Sequence, residues 1–154
     1  MLEGIFVSSS EFDKIFQLRK GKESDISAIR FYAEKFNLDS EELAPQNIYV
    51  IEINGRLAGF GRHKPHGNIC EISTVGVLEE YRNNGAGKIL VNCLILTAPA
   101  AEIWLTTIIP EFFKKFGFQI CENVPLELIL KTEKLCKKFN KSPENNTFMR
   151  LIIQ

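Results

Sequence analysis

Apolar and polar positions change period several times along this chain, and each change marks an element. Phe16-Gln17-Leu18-Arg19-Lys20 alternates and predicts a first strand that Gly21 ends. Ser24 stands where an N-cap belongs, ahead of Ile26, Ile29, Ala33 and Phe36 at helical spacing, so a helix is predicted over 25–36. Residues 47–53 and 57–64 flank Asn54-Gly55, a strong hairpin signal, and His66-Gly67 makes a second turn before a longer strand over 68–78. The period then lengthens. Ile89, Leu90, Cys93, Leu94 and Leu96 predict a helix over 85–97, which Pro99 closes. A short buried strand (103–107) follows, then a short helix (110–116) with Pro110 in its first turn and Gly117 as its C-cap. Strands at 118–121 and 147–153 complete the pattern, while 125–141 reads equally as a helix or as an irregular segment.

A meander followed by strand, turn, helix and strand predicts an α/β (α+β) fold: a mixed, mostly antiparallel central sheet with helices on both faces. No repeat, low-complexity tract or linker divides the chain, so one domain over 1–154 is expected, with 1–14 as a loosely held N-terminal arm.

Composition narrows the function classes. The chain has 154 residues, 45% of them apolar and 25% charged, and a formal net charge of zero, which argues against nucleic acid as the main partner. Cys70, Cys93, Cys121 and Cys136 show no CxxC spacing, which points away from a zinc site and towards reduced thiols. The start MLEGIFVSSSEF lacks a basic, then apolar, signal pattern, and no apolar run approaches the ~20 residues a membrane helix needs. A cytoplasmic protein with no membrane partner is expected.

The stretch with the clearest chemistry is 75–88. A strand ends near Leu78 and a helix begins near Gly85. Backbone N–H groups at such a junction converge, and the helix N-terminus adds partial positive charge. Gly85 and Gly87 lack a Cβ, so an anion can approach closely, and Arg82 and Lys88 add cations. Taken alone, this is either a pyrophosphate cradle or a strand-to-helix turn that merely needs glycine.

Arg82-x-x-Gly85-x-Gly87 after a strand ending in Val77 resembles the acyl-CoA signature of the GNAT superfamily of N-acetyltransferases. Phe112-Phe113-Lys114-Lys115-Phe116-Gly117-Phe118 is similar to the family's downstream aromatic–Gly–Phe segment, and the element order from Phe16 to Ile153 matches too. The resemblance implies acetyl-CoA as co-substrate, in a V-shaped opening between the strands of Val75 and Trp104. Pantetheine would pair with the backbone of Val75, Gly76 and Val77. The pyrophosphate would sit over Asn83, Asn84, Gly85, Ala86, Gly87 and Lys88, and Thr107 and Phe113 would complete the coenzyme site. The acceptor would be a primary amine of a small molecule, and a homodimer is left open.

The resemblance also points to Glu71 as general base, directly or through water, with the Val75 N–H on the thioester oxygen. Strand alternation puts Glu71, Ser73, Val75 and Val77 on one face, and an apolar setting would raise the carboxyl pKa; the competing reading is a solvated strand glutamate. Relatives commonly carry a tyrosine at the position of Phe113, which cannot donate a proton. Leu105-Thr106-Thr107 before that segment resembles amino-acid N-acetyltransferases of the N-acetylglutamate synthase type, whose substrate carboxylate would need Arg19, Arg30, Lys131 or Arg150. Protein or peptide N-acetylation and a non-catalytic acyl-CoA sensor are the alternatives.

Elsewhere the plainer reading holds. His63 and His66 are expected on the surface beside a turn, although either could serve as a base. Trp104, Cys70 and Cys93 are expected in the core, and Lys134, Lys137, Lys138 and Lys141 on a solvated face, with an acidic substrate or the coenzyme's 3′-phosphate as the other option.

Overall fold

Asn54 and Gly55 both take up left-handed backbone, φ 51° and 80°, and join β3 (Ile48–Ile53) to β4 (Arg56–His66) as the Asn-Gly signal predicts. The computed structural model describes residues 5–9 and 14–153. Its contacts divide the chain into two compact units, 1–63 with 74–97 and 64–73 with 98–154. Strands β4 and β5 (Ile69–Val77) begin in one unit and end in the other.

In the first unit, β1 (Ile5–Ser9), β2 (Lys14–Lys20), β3 and β4 are successive neighbours, with the β1–β2, β2–β3 and β3–β4 pairs antiparallel. The expected N-terminal arm therefore contains a strand, paired from Ile5 opposite Leu18 to Ser9 opposite Lys14. Residues 1–4 and 10–13 of that arm lie outside the described residues. Helix α1 (Ile26–Lys35) buries Ile26, Ile29 and Ala33 against Ile48, Val50, Phe60 and Leu78. Each such aliphatic side chain contributes about 1.5–3 kcal/mol by leaving water. Ser24 does not cap this helix: it lies within a 3-10 turn, and Asp25 accepts the Lys22 N–H at 2.7 Å.

Helix α2 (Ala86–Leu96) packs on the other face of β4. A Cβ on Gly59 would lie 3.0 Å from Leu90 Cδ1, and one on Gly61 2.7 Å from Leu94 Cδ1, whereas Phe60 between them belongs to the α1 core. Neighbouring strand residues face opposite ways, so α1 and α2 cover opposite faces.

In the second unit, β5 pairs in parallel with β6 (Glu102–Thr107), and β8 (Thr147–Ile152) runs antiparallel between β6 and β7 (Gln119–Ile120). The short helix α3 (Pro110–Lys114) starts at Pro110, and Gly117 follows at φ 98°. The ambiguous segment is helix α4 (Leu126–Lys138), which buries Leu128, Thr132 and Cys136 at four-residue spacing and leaves Leu126 and Leu130 exposed. Two of its three buried positions carry small or polar side chains, so its apolar pattern pointed nowhere. No helix among the described residues is long and apolar enough to cross a membrane.

Candidate active site

In the first unit the chain leaves β5, makes a 3-10 turn at Glu79–Tyr81 and enters α2. Asn83 and Gly85 are both left-handed, φ 65° and 86°, so the chain reverses sharply just before α2. Gly85 is the N-cap of α2 and no side chain caps this helix, so the N–H groups of Ala86, Gly87 and Lys88 keep the open valence of a helix start. Gly85 is exposed, and a Cβ there would meet nothing within 4 Å, which leaves room for an anion at the donors. Lys88 and Arg82 are exposed beside it. Arg82 also serves the loop itself: Nε donates to the Val77 carbonyl at 2.8 Å, and its guanidinium lies 4.9 Å from the Phe36 ring centre. Asn84 Nδ2 donates to the Tyr81 carbonyl at 3.2 Å and its Oδ1 accepts from Lys14 Nζ at 2.9 Å.

The strand feeding this loop is not regular. Thr74 sits within β5 at φ 58°, a conformation that β-branched residues strongly resist. Buried Arg62 holds it there. Arg62 Nε donates to Thr74 Oγ1 at 3.0 Å, Nη1 to the Glu41 carbonyl at 2.7 Å, and Nη2 pairs with Asp39 Oδ2 at 3.1 Å. Thr74 Oγ1 in turn donates to the Asp39 carbonyl at 2.7 Å. The alternation expected to carry Glu71, Ser73, Val75 and Val77 on one face is therefore interrupted at Thr74. The Val75 side chain lies over Gly61, 3.4 Å from where a Cβ would be, while Gly76 faces Phe60.

The second unit holds the titratable cluster. Glu71 is 1% exposed, and each carboxylate oxygen has a partner: His66 Nε2 lies 2.8 Å from Oε1, and Lys131 Nζ donates to Oε2. Lys131 also reaches Ser73 Oγ at 3.4 Å. The solvated-glutamate reading is excluded. The expected rise in the carboxyl pKa is also corrected: burial pushes it up, but the His66 hydrogen bond and the Lys131 charge together outweigh burial and hold it below the ordinary value. The β5–β6 ladder pairs Cys70 with Ile103 and Glu71 with Trp104. Among the described residues it goes no further, although Ile72–Ser73 and Leu105–Thr107 run on as strand.

Both histidines depart from the surface reading. His63 is buried in the first unit, its Nε2 2.7 Å from the Leu94 carbonyl, and burial lowers its pKa. His66 is half-buried on Glu71. Thr107 is buried, its Oγ1 accepting the Ile109 N–H at 2.9 Å. Phe113 is buried among Phe112, Phe116 and Phe118, with edge-on contacts at 5.0 Å and 6.2 Å to the first and last. Trp104, Cys70 and Cys93 are core residues, and Lys134, Lys137, Lys138 and Lys141 are exposed, as expected. Of the four candidate carboxylate partners, Arg19 is committed to Asp25 and Glu52 at 2.8 Å and 3.1 Å, and Arg150 to Glu102 at 3.5 Å. Arg30 is exposed and Lys131 is on Glu71. Sequence reasoning missed Arg62 and Thr74 altogether, and it named Lys131 without its partner.

A mixed, mostly antiparallel sheet with helices packed on it, and a helix that starts without a side-chain cap after β5, defines an α/β class of fold. The chain belongs to the acetyltransferase (GNAT) family, whose model matches residues 12–118. Its fold is similar to that of Rv2747 from Mycobacterium tuberculosis, solved with CoA and a second ligand (22% identity over 89% of this chain and 99% of that one, TM-score 0.70). It is also similar to N-acetylglutamate synthase from Neisseria gonorrhoeae, solved with coenzyme A and N-acetyl-glutamate (16% identity over 90% of this chain, TM-score 0.68); the chain spans 35% of that protein's length. A third similar fold is Ard1 from Thermoplasma volcanium (18% identity, 90% and 98% of the two chains, TM-score 0.64). No curated protein matches the sequence.

Proposed function

We propose that the chain transfers an acetyl group from acetyl-CoA to a primary amine of a small molecule. The observation that carries this is the uncapped start of α2: left-handed Asn83 and Gly85 leave the N–H groups of Ala86, Gly87 and Lys88 open, with Arg82 and Lys88 exposed beside them. That donor set fits a diphosphate, and a helix N-terminus stabilises an anion by up to ~2 kcal/mol. Val75, Gly76 and Val77 would pair with pantetheine, the Val75 N–H would bind the thioester oxygen, and Thr107 and Phe113 would line the acyl end. The coenzyme supplies an activated acetyl carbon. The protein's part is to bind and orient it, and to take a proton from the amine at the Glu71 cluster, the group of buried charge that such a step needs.

An amino acid is the favoured acceptor class. The Leu105-Thr106-Thr107 resemblance supports it, as does the likeness to a fold solved with N-acetyl-glutamate. A second reading, a coenzyme-binding module without turnover, draws on Phe113, an apolar ring among other rings that can protonate no leaving thiolate.

One titration and one assay test this. Calorimetry with acetyl-CoA should give a saturable isotherm, and thiol release should appear with a subset of twenty amino acids, polyamines and short peptides. Binding without acceptor-dependent thiol selects the sensor module, release with peptides alone selects peptide acetylation, and no binding removes both coenzyme readings.

A further inference from the structure

We propose that His66, rather than the Glu71 carboxylate, accepts the proton of the incoming amine, and that Glu71 is the positioning residue that fixes its tautomer. This deepens the transfer reading above and rests on it. The geometry is local to the second unit. Both oxygens of Glu71 are engaged, Oε1 by His66 Nε2 and Oε2 by Lys131 Nζ, and the residue is 1% exposed, so burial keeps an incoming amine from the carboxylate's remaining lone pairs. An ionised carboxylate only accepts hydrogen bonds, which requires the hydrogen of neutral imidazole on Nε2 and leaves the lone pair on Nδ1.

That second nitrogen is available. His66 makes no hydrogen bond through Nδ1 among the described residues, and no buried polar side-chain atom among them lacks a partner, so Nδ1 is open to solvent. Glu71 from β5 is the ionised partner of the imidazole, and Lys131 from α4 takes the other oxygen of Glu71; Cys70, next to Glu71, is a buried thiol held neutral, its pKa pushed up to about 11 by desolvation and then by the Glu71 charge. Lys131 has a distinct part. It neutralises the second oxygen, so Glu71 stays ionised while buried and keeps its orienting charge for the ring.

The step balances simply. A proton leaves the amine nitrogen for Nδ1, the nitrogen's electron pair bonds to the acetyl carbon, and the carbon–sulfur bond breaks with its electrons on the departing thiolate. Glu71 is not itself protonated.

Two measurements test the assignment. Nitrogen-15 NMR of histidine-labelled protein at pH 8.5 should show His66 as a single Nε2–H tautomer, and Glu71→Gln should mix the two tautomers. With whichever amine of that panel is acetylated fastest, His66→Gln should lower kcat/KM by about 100-fold and flatten its acid limb. Acetyl-CoA affinity by calorimetry should change by less than threefold in that variant. Glu71→Gln should keep an acid limb, because the imidazole that takes the proton is still present. An Nδ1–H tautomer in the wild type, or a His66→Gln enzyme that keeps its acid limb and its rate within threefold, overturns the assignment and leaves the transfer reading standing. A wild type that binds acetyl-CoA yet acetylates nothing in the panel refutes the transfer reading, and the base with it.

Discussion

Replacing Lys131 with Met keeps most of the side chain's apolar length but removes the charge on Glu71 Oε2. Glu71 is 1% exposed and the Lys131 side chain 16%, so the pair is shielded from solvent and the removal leaves a buried carboxylate with His66 alone. Breaking one side of such a pair costs about 3 kcal/mol at neutral pH. The pH dependence identifies the cause. In the wild type the folded carboxyl pKa lies below the ordinary value, so its contribution is present above the unfolded value of about 4.3 and is lost as pH falls through the folded one. In Lys131→Met desolvation has less to oppose it and the folded pKa rises, so the sign reverses and ionised Glu71 destabilises the fold. The gap between the proteins is therefore full at pH 7.5 and closes as pH falls through the variant's raised value towards the wild type's lowered one. Urea unfolding at pH 7.5 and at about pH 4, with Lys131→Arg as a charge-preserving control, measures it. A loss below about 0.5 kcal/mol at pH 7.5, or an equal loss at both pH values, would refute the buried-pair account.

Three further outcomes follow from single positions. Gly85→Val places a β-branched side chain at φ 86° and fills the mouth of α2, so the Kd for acetyl-CoA by calorimetry should rise more than tenfold; unchanged affinity would show that the diphosphate binds elsewhere. Gly59→Ala sets a Cβ 2.9 Å from the Gly76 carbonyl, which cannot swing away, whereas the Cβ of Gly61→Ala meets the movable tip of Leu94 at 2.7 Å. The first should cost about 1–3 kcal/mol, seen as a fall in Tm, and the second less; the opposite ranking would mean that β4 yields more readily than Leu94. Burial pushes the Cys70 and Cys93 thiols up to about 11, so at pH 8 a thiol reagent should label half-exposed Cys121 first and reach those two only on unfolding. Rapid native labelling of Cys70 would contradict its burial.

What the sequence discloses, and what it hides, divides by range. The Asn54-Gly55 hairpin, the entry to α2 at Gly85 and the Gly117 stop are written in residues a few positions apart, where glycine's freedom and a period of two or 3.6 decide the structure. The backbone of the turn into α2 was legible for that reason, being one continuous segment. The Glu71 cluster was not. His66 is five residues from Glu71, but on the other side of a turn, and Lys131 comes from sixty residues downstream on a helix whose buried line includes Thr132 and Cys136. No periodicity records such pairings, so Glu71 read as an open choice and its pKa was reasoned in the wrong direction, from burial alone.

Thr74 carries the same lesson further. A non-glycine residue at φ 58° costs roughly 1–2 kcal/mol over its relaxed conformations, and nothing local repays a threonine for adopting it. The compensation comes from outside the strand: an Arg62–Asp39 ion pair and three hydrogen bonds to Thr74 and the carbonyls of Asp39 and Glu41. Two charged side chains are thus kept almost wholly out of water to hold one irregular residue, where a valine and a leucine would pack at less cost. Such an arrangement is better explained by what the irregularity does than by stability. It interrupts the side-chain alternation of β5 at Thr74, between Glu71 and Val75. Loosening it with Arg62→Lys, which keeps the charge but loses the fork, should therefore weaken acetyl-CoA binding by more than its effect on Tm accounts for. Equal, proportionate losses in both would reduce Arg62 to a structural residue.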